Sequence, residues 1–163
     1  MSDHVDRILA QWAEERPDLD VSPMAVIGRL SRVSAVVDAK LAKNFAANGL
    51  DGGSFDVLAT LLRNGAPHRL TPAALAADAM ITSSAVAQRL NRLEARGLIE
   101  RSPNPDDGRG SLVTLTPAGQ AAVERTLPTH LATEESILAA LTKDERAALA
   151  GLLGKLLSAR DSG

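Results

Sequence analysis

Between Leu70 and Gly119 the chain sets out, without a gap, two short helices joined by a tight turn and then a hairpin. Thr71-Pro72 opens the first helix, because a hydroxyl caps free amides and the fixed φ of proline suits the first helical position. Leu75, Ala76 and Ala79 give that helix one apolar face. After the turn Met80-Ile81, Thr82 caps a second helix that carries Val86, Leu90 and Leu93 at helical spacing, and Gly97 ends it. Leu98-Ile99-Glu100-Arg101 and Ser111-Leu112-Val113-Thr114-Leu115 have the length of hairpin strands, and the turn formers Pro103 to Gly110 lie between them.

That order is a winged helix-turn-helix, and it predicts a mainly α fold with a small β-hairpin wing. The surrounding sequence is helical. His4 to Arg16 places Val5, Ile8, Leu9 and Trp12 on one face, and Pro17-Asp18-Leu19-Asp20 breaks the helix. Ser22-Pro23 starts a long helix whose stripe of Val26, Ile27, Leu30, Val33, Val37, Leu41 and Phe45 ends near Asn48-Gly49. Ser54 to Arg63 forms another helix, closed by Asn64-Gly65. Thr116-Pro117 opens a helix towards about Ala140, which Pro128 is expected to kink or split. Thr142 and Glu145 have capping-box spacing, and the last helix sets Leu149, Leu152, Leu153, Leu156 and Leu157 on one side.

One domain of residues 1–163 is expected, with the winged helix-turn-helix at about 52–115 and dimerisation helices at 4–48 and 117–160. The terminal helices offer more apolar surface than one small core covers, which points to a two-fold homodimer. The alternative is that they only close the monomer's own core. Composition adds that 45% of the 163 residues are hydrophobic and none is cysteine, so neither a disulfide framework nor thiol chemistry is available. With no apolar run of about 18 residues and no basic leader, a cytoplasmic protein with no membrane partner is expected.

The net charge of −2 does not announce a nucleic-acid binder. Its distribution is uneven, because residues 69–109 carry six basic groups against five acidic ones while both flanking segments are acidic on balance. All six bases there are arginines, which suit bidentate phosphate and guanine contacts. On a wheel of about 100° per residue, Ser84, Gln88 and Asn91 point away from Val86, Leu90 and Leu93 and can approach base edges. Thr82 and Ser83, at the helix N-terminus, suit phosphate, and Arg92 lies on the flank. A solvated helix face is the alternative for Gln88 or Asn91 taken singly. Arg109, near the hairpin tip, suits a narrow minor groove, with Asp107 placed to orient it.

At these residues the chain resembles the multiple antibiotic resistance regulator (MarR) family, through Asp107-Gly108-Arg109 followed by Leu115-Thr116-Pro117-Ala118-Gly119. The resemblance covers nearly the whole chain. It implies a dimeric repressor that binds a palindromic operator in double-stranded DNA and releases it when a small molecule acts, with Asp107 and Arg109 working as a pair. Asp106 beside Asp107, and Asn104-Pro105 before them, depart from the family's more basic wing and imply weaker wing affinity.

Arg89 falls about 60° from the centre of the buried side of its helix and needs a partner, for which Asp56 is the candidate. Trp12, Glu15 to Asp20 and Ser22-Pro23-Met24 to Arg29 resemble the N-terminal extension of the urate-responsive subgroup. That resemblance implies an organic-anion site for urate or a related ligand built from Trp12, Asp56, Arg89 and Arg101. An indole stacking on a planar ligand while guanidinium groups neutralise it is chemically coherent. The bland readings are a structural salt bridge for Arg89 and Asp56, and core packing for Trp12.

His4, His68 and His130 show no ligand spacing, so neither a metal nor a cofactor is expected. No nucleophile and base pair or glycine-rich phosphate loop is recognisable, which argues against an enzyme. The competing functions are a winged-helix DNA binder without a ligand at this site, and a winged helix used for protein contact alone.

Overall fold

The computed structural model describes residues 2–159, apart from the side chains of Asp107 and Arg109. The chain divides into two compact units, Met1–Lys40 and Leu41–Gly163, and helix α2 (Ser22–Ala47) runs across the boundary. In the first unit α1 (His4–Glu15) starts with a capping box, in which the Asp3 carboxylate accepts from the Val5 and Asp6 amides and the Asp6 carboxylate accepts from the Asp3 amide. Arg29 of α2 reaches back to both acids, its Nε 2.8 Å from Asp3 and its Nη2 2.6 Å from Asp6. Val5 is buried at the crossing, where the missing side chain of Gly28 leaves room for its methyl groups.

The second unit holds the hydrophobic core. It contains α3 (Gly52–Arg63), β1 (Arg69–Leu70), α4 (Pro72–Asp78), α5 (Ser83–Ala95), β2 (Ile99–Asn104), β3 (Asp107–Leu115), α6 (Pro117–Ile137) and α7 (Lys143–Ser158). Leu58 and Leu61 of α3, Leu75 of α4, Leu93 of α5 and Val113 of β3 are fully buried in one cluster. Each such side chain contributes roughly 1.5–3 kcal/mol through removal of apolar surface from water. The predicted inner residues of α5, Val86, Leu90 and Leu93, are all buried, so the helical period sets the outer face.

The three strands form an antiparallel sheet in the order β1-β3-β2. β1, which the sequence does not announce, pairs Arg69 with Thr114 and Leu70 with Val113. The hairpin is also longer than its turn-rich composition suggests. Pairing runs from Ile99 opposite Leu115 out to Asn104 opposite Asp107, so that only Pro105-Asp106 turn the chain.

Gly119 explains the Leu-Thr-Pro-Ala-Gly run that follows the wing. A Cβ there would stand 2.0 Å from the Leu98 carbonyl oxygen and 2.7 Å from Leu115 Cδ1, so only glycine lets α6 start this close to β2. Helix α6 continues through Pro128 as one element to Ile137, rather than splitting or reaching Ala140. Among the described residues no helix is long and apolar enough to cross a membrane.

Candidate nucleic-acid interface

The outer face of α5 is built from its cap. Thr82 accepts the Ala85 amide at 3.3 Å through its hydroxyl, and Thr82, Ser83 and Ser84 are all exposed at the amide-rich end of the helix. Gln88, Asn91 and Arg92 continue the exposed face. A surface with free amides at one end, an amide side chain in the middle and a guanidinium on the flank meets the requirements for phosphate and base-edge contact.

Asn91 is already engaged. Arg101 of β2 donates from Nη2 to Asn91 Oδ1 at 3.0 Å and from Nε to Glu94 Oε2 at 2.9 Å, and its Nη2 also meets Glu94. The Arg101 guanidinium holds the Glu94 carboxyl below its usual range, and Glu94 in turn raises the Arg101 pKa. Arg101 therefore ties the root of the wing to α5, and it holds the Asn91 amide through its oxygen. The side chains of Asp107 and Arg109, the expected wing pair, lie outside the described residues.

The expected pairing of Arg89 with Asp56 does not form. Arg89 Nε donates to Asp51 Oδ1 at 2.8 Å. Asp56 Oδ2 instead accepts the amides of Met80 and Ile81 at 2.8 and 3.1 Å. The physical reason lies in where α3 begins. The helix starts at Gly52, ahead of the expected Ser54, with Asp51 as its N-cap accepting from the Ser54 amide and hydroxyl. That cap places an anion beside Arg89, and Gly53 gives the guanidinium room, since a Cβ there would lie 2.9 Å from Nε.

Burial pulls the Asp51 carboxyl upward, but the Ser54 amide, Arg89 and the Ser54 hydroxyl outweigh it and leave the pKa lowered. The two terminal nitrogens of Arg89 have no protein partner among the described residues. Asp56, Arg89 and Arg101 thus each serve a different contact. Trp12, 41% exposed, lies on α1 in the first unit.

Comparison with known proteins follows the same outline. A family model described as MarR family matches residues 48–110, from just after α2 to the first residues of β3. The chain is similar to the HTH-type transcriptional regulator PecS of Dickeya dadantii, with 42% identity over 152 residues covering 93% of this chain and 92% of that protein. Among solved structures it is similar to BpsR of Bordetella bronchiseptica, described for regulation of its DNA binding by 6-hydroxynicotinic acid. That match has 30% identity and a TM-score of 0.72, and covers 81% of this chain and 98% of the other. A mutant MarR from Escherichia coli complexed with operator DNA matches with 27% identity and a TM-score of 0.73, over 96% and 99% of the two chains.

Proposed function

Because the chain belongs to the MarR family of winged-helix transcriptional regulators, we propose that it is a homodimeric repressor that reads a palindromic operator with α5 and the wing. The observation that carries this is the outer face of α5. Ser83, Ser84 and Gln88 stand exposed on a helix whose inner side is locked in the core, beside a long antiparallel hairpin. Thr82 and Ser83 hold phosphate, Ser84 and Gln88 meet base edges, Asn91 presents its NH2, Arg92 meets the flanking backbone, and Arg109 with Asp107 enters the minor groove.

Dimerisation is supported by apolar faces left open in each unit. Helix α7 buries no residue, and Leu149, Leu152, Leu156 and Leu157 are exposed along it. In the first unit Val26, Ile27, Leu30 and Val33 are exposed on α2. A second copy of the chain covers such faces in the isologous manner of two-fold dimers.

Release is assigned to a small organic anion, urate or a related planar acid, that takes the free edge of Arg89. Its supports are the half-buried guanidinium, whose two terminal nitrogens have no partner among the described residues, and the resemblance of Trp12 and its neighbourhood to the urate-responsive subgroup. Since Arg89 sits on α5, any ligand that draws it from Asp51 acts on the reading helix itself. Titrating a palindromic DNA library at two salt concentrations tests the central reading. Sequence preference with a steep salt slope is the expected result, and binding without either would leave a protein-contact module as the better account.

A further inference from the structure

We propose that Asp56 is a positioning residue for operator recognition, acting as the clamp that fixes the turn between α4 and α5. The inference rests on the DNA-binding reading above and gives Asp56 a role separate from any ligand.

Helix α4 ends when the Ala79 amide donates to the Leu75 carbonyl, and α5 does not begin until its cap at Thr82. The two amides between, on Met80 and Ile81, have no backbone acceptor among the described residues. A single oxygen of the Asp56 carboxylate takes both. Packing on the core holds the flanks of this turn through Ala79 and Ile81 but not its apex, because Met80 is 92% exposed. The other end of the turn is held from the same helix. Seven residues on, two turns along the same face of α3, Arg63 donates to the Asp78 carbonyl and to the Thr60 hydroxyl. An acid thus grips the N–H side of the turn and a base grips its carbonyl side.

The consequence falls on the first turn of α5. Thr82, Ser83 and Ser84 follow directly on the clamped amides, and side chains that read base edges must be held to about half an ångström. Hydrogen bonds from amides to a carboxylate are the stronger, charge-assisted kind. A carboxylate near a DNA-facing surface also works against binding any duplex, since it repels phosphate. Removing it is therefore expected to spare or raise affinity for arbitrary DNA while lowering the preference for the operator. A purely structural residue would not split the two affinities in this way.

The test uses the full-length protein and an operator selected by the wild type from a random palindromic library. Affinities for that operator and for a scrambled duplex are measured at two salt concentrations for wild type, Asp56→Ala and Asp56→Asn, with thermal unfolding in parallel. The expected result is a fall of about tenfold in the operator-to-scrambled ratio for Asp56→Ala, with scrambled affinity unchanged or higher. Asp56→Asn, whose Oδ1 can accept both amides, recovers most of the ratio. A ratio within twofold of wild type in Asp56→Ala, or parallel loss of both affinities, overturns the proposal. If Asp56→Ala does not fold, Arg63→Ala frees the other end of the turn and is judged by the same ratio. A wild type that selects no sequence at all refutes the DNA-binding reading instead, before any variant is compared.

Discussion

Arg89 on α5 and Asp51 at the cap of α3 meet at 2.8 Å, so one carboxylate both starts a core helix and holds the helix to which DNA reading is assigned. Asp51→Ala removes the cap and the ion pair together and is expected to cost about 1–2 kcal/mol of stability, most of it from the cap. Asp51→Asn keeps a capping acceptor and is expected to cost about half that. The pH dependence has a defined sign. The folded pKa of Asp51 lies below its ordinary value of 3.8, so its contribution is present above that pH and is lost as pH falls through the folded value. Urea unfolding of wild type and Asp51→Asn at several pH values checks this, and a stability gap that widens below pH 4 would contradict it.

Gly119 gives the sharpest structural prediction. In Gly119→Ala the added carbon meets the Leu98 carbonyl oxygen, a backbone atom that also accepts the Thr116 amide and cannot swing aside. Either α6 or β2 must shift, and a loss of about 1–3 kcal/mol or more is expected. Denaturant midpoints measure it, and an unchanged midpoint would mean that the close approach is not maintained in solution.

The contrast between these two sites shows what the sequence makes legible. The period of Val86, Leu90 and Leu93, the caps at Thr82, Thr116 and Thr142, and the stop at Gly97 are local signals, and the structure places each as expected. The partner of Arg89 is not local. Asp51 and Asp56 both precede it by more than thirty residues, and choosing between them depends on whether α3 starts at Gly52 or Ser54. Gly52-Gly53 has the composition of a loop, yet the helix begins there because Asp51 caps it and the absent side chain of Gly53 admits Arg89. β1 was hidden for a related reason. Two residues, Arg69-Leu70, carry no periodicity, and only β3 lying alongside makes them a strand. Proline at position 128 is a breaker in isolation, but the surrounding turns carry α6 past it.

At the surface assigned to DNA, Arg109→Ala is expected to weaken operator binding by about 1–3 kcal/mol, and Gln88→Ala to relax base preference at one position in each half-site. Neither change touches the buried side of α5, so unfolding midpoints are expected to stay within about 0.5 kcal/mol of wild type. Electrophoretic or fluorescence titration against the selected operator and single-base variants separates the two effects. If Arg109→Ala binds as tightly as wild type, the wing does not contribute in the way assigned to it.

The open leucines of α7 predict the oligomeric state. Leu152 and Leu156 are 59% and 53% exposed one turn apart, so glutamate at both is tolerated by the monomer's own packing. In a two-fold dimer built on this face the same charges are buried four at a time. Leu152→Glu with Leu156→Glu is expected to give a folded monomer whose operator affinity drops by at least about tenfold, because half-sites one or more helical turns apart, roughly 34 Å each, are no longer read together. Sedimentation with circular dichroism decides it, and a dimer that persists through both substitutions would move the interface elsewhere.

The effector prediction turns on competition at Arg89. Its Nε is held by Asp51 while its terminal nitrogens have no partner among the described residues, so a planar organic anion can add to the guanidinium and weaken that tie. Linkage then requires the ligand to bind the DNA-free form more tightly than the DNA-bound one, and a coupling of about 1–3 kcal/mol vacates most operators near their binding midpoint. Urate and aromatic carboxylates are expected to lower operator affinity of the wild type. Arg89→Ala is expected to bind operator but to lose that response. A response retained in full by Arg89→Ala, or no change in wild-type affinity with any planar acid, would return Arg89 and Asp51 to a structural tie between α3 and α5.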